Sequence, residues 1–330
     1  MVKALSFLDI KGYLVTEFGF YRDMITNIYY SLSPSAGITQ RKPSKFQSLI
    51  EYIFFNKLLD KYFKQVLNDI DPDIVISLVP YPFIAKIVKK NGYLYVYWNI
   101  DDPTNFGIEP LWNAKLADVT FTIAPGMIKI YEKYGCKNVF WLMLAADPGL
   151  FKPMKVQKEF DVVFIGNFTL DKLKGFKQLL FPIFKRSNGI KVRIFGARWP
   201  TNARWYRGFL QYKYIPLIYS QSKLVINIHT DIQRFSPLTF NMRMFEAMAC
   251  GACLISDYIP GSEFFFKNYK HYILLKTPVK SYEYLRLLES LLENSNLREE
   301  IGMSARENII HSHTYIHRAL RLTQIIGNFI

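Results

Sequence analysis

The sequence has little cysteine and no long uninterrupted apolar run. Only three cysteines occur among 330 residues, and an odd, small number argues against a disulfide framework and favours a reducing cytoplasm. No run reaches the ~18 consecutive apolar residues that indicate a membrane-spanning helix, although half of the residues are hydrophobic. Lys3 is followed by only a brief apolar stretch before Asp9, so we expect no secretory signal. The sequence therefore predicts a cytoplasmic protein with ample apolar residues for its cores.

Acidic residues are scarce in the second half of the chain. Residues 1–155 carry a net charge of +4 and residues 156–330 carry +11, and twelve basic residues but no acidic one lie between Lys172 and Thr230. Such a field favours anionic partners, which include nucleotide phosphates, acidic lipid headgroups and nucleic acid. The charge alone does not choose between them.

Strand-like and helix-like segments alternate along the chain, which favours doubly wound α/β domains. The predicted strands of the first half are 4–10, 73–79, 93–98, 119–124 and 139–144, and its predicted helices are 46–70, 82–91 and 127–135. A linker at 147–158, with two prolines and a glycine, separates a second series. Its predicted strands are 161–165, 191–195, 224–228, 252–256 and 271–275, and its predicted helices include 170–187, 281–293 and 298–327.

The stretch Ser236–Asp257 (SPLTFNMRMFEAMACGACLISD) predicts a loop, a short helix, a glycine stop and a buried strand. Asn241 fits the N-cap of the helix, and Gly251 fits the C′ position, where positive φ is required. One carboxylate, Glu246, lies in this otherwise apolar helix, three residues after Arg243. An exposed i,i+3 ion pair is one interpretation, and a ligand contact is the other.

Ligands of open parallel sheets bind outside the carboxyl ends of the strands. Gly166 and Asn167 follow one predicted strand and His229 ends another, so they share that edge with the N-terminus of the Glu246 helix, an anion-binding element. His229 fits a ligand contact or a capping residue. The loop after strand 93–98 carries Asp101 and Asp102, which fit either general acid–base groups facing a cleft or a solvated turn.

Several stretches resemble GT-B glycosyltransferases, and in particular the CgeB-like (spore maturation protein) branch, which is related to the family-4 enzymes. The resemblance is carried by FDVVFIGN at 160–167, NVFWLMLAADPGLFKP at 138–153, NMRMFEAMACGACLISDYIPGSEFFF at 241–266 and HTYIHRA at 313–319. It implies two Rossmann-like domains, 1–150 on the acceptor side and 151–330 binding the donor, with a last helix of about 313–330 that packs back on the first domain.

The resemblance also implies a function and a set of residues. The chain would move a sugar from a nucleotide-sugar donor to a hydroxyl of a glycan, lipid-linked sugar or metabolite, with retention of configuration and without a metal or other cofactor. Glu246 matches the second glutamate of the family signature, which binds the donor ribose, whereas Leu238 stands where the first is expected. Lys172 or Lys174 would neutralise the leaving diphosphate. The donor-site candidates are therefore Glu246, Arg243, Asn241, Gly166, Asn167, His229, Lys172 and Lys174, and the catalytic candidates are Asp101 and Asp102.

Other interpretations stay open at this stage. The missing first glutamate fits a non-catalytic GT-B protein that binds a nucleotide or assembles with a partner. The acid-free segment fits peripheral contact with an anionic membrane better than nucleic acid, because it contains no recognised nucleic-acid motif. Metal or redox use is a minor alternative for the C-x-x-C spacing of Cys250 and Cys253, and for a late histidine cluster formed by His311, His313 and His317.

Overall fold

The computed structural model describes Leu5 and residues 61–186, 189–276 and 278–330. These residues form two parallel sheets that are joined by an irregular connection at residues 147–159. The strands of the first sheet are β1 (Ile74–Ser77), β2 (Leu94–Asn99), β3 (Val119–Thr122) and β4 (Val139–Trp141). Those of the second are β5 (Phe160–Ile165), β6 (Val192–Phe195), β7 (Ser222–Asn227), β8 (Cys253–Asp257) and β9 (Ile273–Leu275). Each described strand overlaps a predicted one.

The first sheet has its described strands in the order β1-β2-β3-β4, and all of them pair in parallel. Its strands are apolar on both faces because helices and loops cover both. Tyr95 and Tyr97 of β2 pack into one core cluster, whereas Val96 and Trp98 pack into another, as the two-residue period of a strand requires.

The second sheet has the order β6-β5-β7-β8-β9, again all parallel. The chain moves outward from β5 to β6 and then returns to the other side of β5 for β7. The resulting reversal between β5 and β7 is the topological switch point at which doubly wound sheets bind ligands. The doubly wound prediction is confirmed for this sheet.

The helices flank the two sheets. Those that the structure describes completely are α1 (Pro82–Lys90), α2 (Ile108–Leu116), α3 (Met127–Lys133), α4 (Leu173–Gly175), α5 (Phe181–Arg186), α6 (Ile215–Ser220), α7 (Asp231–Phe235), α8 (Met242–Ala249), α9 (Ser281–Glu293), α10 (Ser295–Ser312) and α11 (Tyr315–Ile326). Residues 61–70 are also helical, which agrees with the end of the helix predicted at 46–70. The rest of that prediction lies outside the described residues.

One helix prediction needs correction, and three helices were not predicted. The segment at 298–327 is not one helix, because the chain leaves the helix at His313 and Thr314, and Thr314 pairs with Ala146 in an isolated parallel bridge. Helices α2, α6 and α7 were not predicted, since each is short and without a long apolar period. The segment predicted as a helix at 170–187 is helical from Leu170 to Arg186, and a π-helical stretch at Phe176–Leu180 joins α4 to α5 within it.

The strand predicted at 4–10 lies outside the described residues except at Leu5, where the backbone is helical and the strand prediction is wrong. Leu5 packs against Ala319 of α11. Helix α11 also bonds to the end of the first half of the chain: Nε of Arg318 donates to the carbonyls of Met143 and Leu144 at 2.9 and 3.2 Å. Helix α11 thus contacts both Leu5 and the segment that follows β4.

Candidate functional site

The candidate site lies at the carboxyl edge of the second sheet, where β5, β7 and β8 end and α8 begins. The loop that follows β2 in the first domain reaches the same place. Oγ1 of Thr104 in that loop lies 3.2 Å from Oγ1 of Thr230, which follows β7. The strand-end loops of the two sheets therefore meet at this edge.

Helix α8 presents its N-terminus to the edge, and its local sequence explains both ends. Oδ1 of Asn241 accepts from the backbone N–H of Met244 at 3.1 Å, and Nδ2 of Asn241 donates to the carbonyl of Ile228. The predicted N-cap is confirmed, and this side chain is used to fix the helix to the end of β7. Gly251 has a φ of 66°, so the predicted stop is confirmed as well.

Glu246 is buried and has two partners. Its Oε2 accepts from Nη1 of Arg243 at 2.5 Å, and its Oε1 accepts from the hydroxyl of Tyr212 at 2.5 Å. The side chain of Glu246 is 1% exposed, whereas that of Arg243 is 32% exposed. The i,i+3 ion pair therefore exists, but the interpretation of an exposed pair is wrong for its carboxylate.

Burial raises the pKa of Glu246, while the positive charge of Arg243 and the hydrogen bonds from Tyr212 and Arg243 act in the opposite direction. Tyr212 was not predicted, because it lies in an irregular, basic stretch without a recognisable pattern. Its ring packs edge-on against Phe151 with centroids 5.4 Å apart, and the guanidinium of Arg243 lies 5.8 Å from the centroid of the same ring.

His229 is completely buried and is bound to Asp257 at the end of β8. Its Nδ1 lies 2.6 Å from Oδ1 of Asp257, and its backbone N–H donates to the same carboxylate at 3.1 and 3.2 Å. His229 thus fixes the loop after β7, and the capping interpretation is wrong because Thr230 is the N-cap of α7. Asp257 was missed, although an acidic residue at the end of a predicted strand is a signal for this edge of the sheet.

The two candidate lysines lie in different surroundings. Lys172 is half-buried, and burial lowers its pKa, with the charges of Arg243 and Asp257 close enough to contribute. Lys174 is exposed, and its Nζ lies 6.0 Å from the ring centroid of Phe235. Lys172 is therefore the more enclosed of the two lysines.

Gly166 and Asn167 hold the end of β5 against the end of β6. The carbonyl of Gly166 accepts from Nε1 of Trp199, and Oδ1 of Asn167 accepts from the backbone N–H of Ala197, both at 2.8 Å. The chain at Gly196 approaches so closely that a Cβ there would lie 2.2 Å from the Gly166 carbonyl oxygen. Both residues lie at the predicted edge, and Asn167 is exposed to it.

Asp102 does not face the cleft. It is fully buried and accepts hydrogen bonds from Nδ2 of Asn99 (2.7 Å), Oγ1 of Thr122 (2.6 Å) and the hydroxyl of Tyr131 (3.0 and 3.1 Å). Burial raises its pKa to about 7, although the bonds from Thr122 and Tyr131 oppose the shift. This geometry does not fit the predicted catalytic role of Asp102, whereas Asp101 is exposed and stays a candidate.

The geometry of the described residues does not support metal or redox use of the cysteines and histidines considered above. Cys250 and Cys253 are buried free thiols, and burial raises the pKa of both. Among the described residues there is no group of three or more potential metal ligands. His313 accepts from Arg318, and His317 caps α11 through Thr314. Within the same residues, every helix is too short or too polar to cross a bilayer.

Sequence comparison links the C-terminal half to glycosyltransferases. Residues 174–324 match a family described as glycosyl transferase-like. The spore protein CgeB of Bacillus subtilis (strain 168) is 24% identical over 212 residues, which cover 56% of this chain and 64% of CgeB. The matched region thus spans somewhat less than two thirds of that relative.

Solved structures share the fold over most of the chain. HepE of Anabaena, in complex with UDP-glucose, has a TM-score of 0.62 at 14% identity, covering 92% of this chain and 88% of its own. Sucrose-phosphate synthase from Thermosynechococcus elongatus has a TM-score of 0.59 at 14% identity, with coverage of 89% and 82%. A glycosyltransferase from Rickettsia africae has the same score and identity, with coverage of 91% and 87%. These likenesses confirm the predicted GT-B fold.

Proposed function

We propose that this protein, which has the GT-B fold and resembles the CgeB-like glycosyltransferases, transfers a sugar from a nucleotide-sugar donor to a hydroxyl acceptor. The acceptor would be a glycan, a lipid-linked sugar or a small metabolite. The proposal goes beyond the fold, because one fold hosts many functions and the chemistry must be argued from the site.

The observation that carries the proposal is the positive charge at the switch-point edge of the second sheet. Arg243 lies in the first turn of α8 with 32% of its side chain exposed, and the half-buried Lys172 lies in the helical segment that follows β5. Helix N-termini and preorganised cations stabilise phosphate groups, and they also stabilise the charge that develops when a diphosphate leaves. Sugar transfer from a nucleoside-diphosphate sugar releases a diphosphate, so it needs cations or helix N–H groups of this kind.

Uridine nucleotides are the first donors to test. The structural relatives include HepE with UDP-glucose, the TarM protein of S. aureus with UDP and alpha-GlcNAc-glycerol, and a T4 phage protein with UDP-glucose. These ligands belong to those proteins, and their shared uridine diphosphate moiety motivates the choice of probe here. The sugar and the acceptor are separate parts of the proposal.

The binding experiment is calorimetric titration with UDP, GDP, ADP and dTDP, using wild-type protein and a matched pair of lysine variants. Lys172→Met should weaken binding of the preferred nucleotide by about tenfold or more, because it removes one charged contact with phosphate. Lys174→Met should change it by less than about twofold, since that ammonium is exposed to solvent. Equal losses in the two variants, or no binding of any nucleotide to the wild type, would contradict the proposed donor site.

We assign activation of the acceptor hydroxyl to Asp101, because Asp102 is buried in the first domain. If Asp101 acts as a general base, Asp101→Asn should lower kcat by about 10²–10⁴-fold with little change in nucleotide affinity. Retention of configuration, implied by the resemblance, is part of the proposal and is read from the anomer of the product by NMR. Unchanged kcat in Asp101→Asn would remove this residue from the mechanism.

A non-catalytic nucleotide-binding protein is the second candidate, and two observations favour it. Leu238 replaces the first signature glutamate, and Asp102 is unavailable as a base. Incubation with UDP-glucose and a panel of hydroxyl acceptors, followed by assay of released UDP, separates the candidates. Binding without release of UDP across the panel would favour the second.

A further inference from the structure

We infer that Glu246 is a positioning residue that holds Arg243 towards the diphosphate, and that its carboxylate does not bind the ribose of the nucleotide. The inference deepens the proposed function and rests on it. It departs from what the family resemblance implies for this glutamate, and three features of the structure support it.

The first feature is the enclosure of the carboxylate. Glu246 has no exposed surface, and each of its oxygens accepts a hydrogen bond at 2.5 Å, one from Arg243 and one from Tyr212. A carboxylate oxygen has a second lone pair, but a ribose hydroxyl can use it only if it can reach the oxygen. Burial by the surrounding side chains prevents that approach.

The second feature is Tyr212, whose hydroxyl makes the bond to Glu246 that a sugar hydroxyl would otherwise make. The ring of Tyr212 is fixed against Phe151, which belongs to the connection between the two sheets, and against the guanidinium of Arg243. Displacing this ring would break an aromatic contact, a cation–π contact and a charged hydrogen bond together. The hydroxyl of Tyr212 thus occupies the hydrogen-bonding position on Glu246 that a ribose hydroxyl would need.

The third feature is the direction left open to Arg243. One Nη1 donor is used by Glu246, and within the described part of the chain the guanidinium makes no further hydrogen bond. A third of the side chain is exposed at the first turn of α8. A guanidinium is planar and presents several donors in a fixed fork. Glu246 holds one edge of that fork, so the other donors remain available to an anion at the N-terminus of α8.

The experiment compares UDP with 2′,3′-dideoxy-UDP, which lacks the ribose hydroxyls, by calorimetric titration. The proteins are wild type, Glu246→Gln, Arg243→Met and the double variant, with the exposed Glu293→Gln as the matched control. If Glu246 acts through Arg243, Glu246→Gln should weaken both ligands by the same factor, about tenfold. The double variant should bind UDP no more weakly than Arg243→Met, within about twofold, because the two residues act as one unit.

Three results would overturn the inference while leaving the proposed function intact. Glu246→Gln could weaken UDP at least fivefold more than the dideoxy ligand, which would indicate a ribose contact. The losses in the double variant could add, which would indicate independent contacts with the ligand. Glu246→Gln could also bind both ligands like wild type. If the wild type binds neither ligand, the proposed function fails, and this inference fails with it.

Tyr212→Phe keeps the test possible if Glu246→Gln does not fold. It removes one hydrogen bond to Glu246 and keeps the ring, so the core contacts with Phe151 are preserved. We expect a smaller loss, about threefold, that is again equal for UDP and the dideoxy ligand. Tighter UDP binding by Tyr212→Phe, without tighter binding of the dideoxy ligand, would show that the phenol competes with ribose and would overturn the inference.

Discussion

At the scale of single residues, two buried carboxylates show that neighbouring groups determine the charge of an acidic side chain and the role it can have. Glu246 is paired with a guanidinium, so it can stay ionised and orient that cation. Asp102 is surrounded by neutral donors from Asn99, Thr122 and Tyr131, and desolvation dominates its pKa. Neither side chain is accessible to an acceptor hydroxyl. Among the charged candidates, Asp101 is exposed, and Arg243 and Lys172 are partly exposed.

Asp102 should make the stability of the protein depend on pH. Its pKa is about 7 in the folded state against an ordinary value of 3.8, so between those values the folded protein keeps a proton that the unfolded chain has lost. The free energy of unfolding therefore falls as pH rises through this window, by at most about 4 kcal/mol in total. Asp102→Asn does not titrate and should remove that slope. Urea denaturation at half-unit steps from pH 4.5 to 8 measures it.

The control for this experiment is Asp101→Asn, the same change at the exposed neighbouring residue, which should keep most of the slope because burial raises the pKa of Asp102 more than the charge of Asp101 does. His313 has its pKa lowered to about 3 by burial and by the charge of Arg318, which adds a slope of opposite sign below about pH 6.5. That slope is common to all three proteins and cancels in their differences. Parallel pH curves for wild type and Asp102→Asn would contradict the assignment of the raised pKa to Asp102.

At the scale of elements, every described strand overlaps a predicted strand, whereas three described helices were not predicted and one predicted helix is broken. Apolar runs such as those of β2 and β7 are decisive because both faces of a parallel sheet are covered. The N-cap at Asn241 and the stop at Gly251 were also predictable, since each depends on chemistry within a few residues. The break at His313 and Thr314 depends on a bridge to Ala146, a distant contact that local sequence does not encode.

The same limit applies to the candidate site. Its position at the strand ends could be predicted, because the alternation of strands and helices places those ends along one edge. The partner of Glu246 could not, since Tyr212 is 34 residues away in the chain and lies in a stretch without periodicity. The burial of Asp102 likewise depends on Tyr131, which lies 29 residues away in the chain, in helix α3.

Gly302 is the point at which α10 touches the end of α8, and it provides a test at this scale. A Cβ at Gly302 would lie 2.1 Å from the carbonyl oxygen of Gly251, so Gly302→Ala should force the two elements apart. We expect a loss of about 2 kcal/mol or more in the free energy of unfolding, although alanine alone would favour the helix by roughly 0.5–1 kcal/mol. Urea denaturation gives the sign directly.

Gly126→Ala is the matched substitution, because a Cβ there has no neighbour within 4 Å and the backbone is already in the right-handed helical region. It should be neutral or stabilise by about 0.4–1 kcal/mol. A gain in stability for Gly302→Ala comparable to that of Gly126→Ala would show that α8 and α10 can separate without cost, contrary to the packing described.

At the scale of the whole molecule, apolar residues of the two sheets share one buried core, so we expect the sheets to unfold together. Val96 and Phe121 of the first sheet and Val163 and Leu254 of the second belong to the same buried cluster. Helix α11 adds a polar connection to it. Arg318 is buried and donates to the carbonyls of Met143, Leu144 and Ser312 and to Nδ1 of His313. The guanidinium therefore fixes the end of the chain to the segment that leaves the first sheet.

Replacing Arg318 by methionine should weaken this connection more than either sheet. The change keeps most of the apolar volume but leaves several buried carbonyls without donors, at a cost of about 1–3 kcal/mol for each group that water cannot reach. We expect a lower melting temperature and a broader transition, in which the calorimetric enthalpy exceeds the van 't Hoff enthalpy because the halves unfold separately. Arg321→Met, on the exposed face of α11 where Arg321 bonds only to Gln324 among the described residues, should retain one transition near the wild-type temperature. A single two-state transition in Arg318→Met, however destabilised, would mean that the shared apolar core alone couples the sheets.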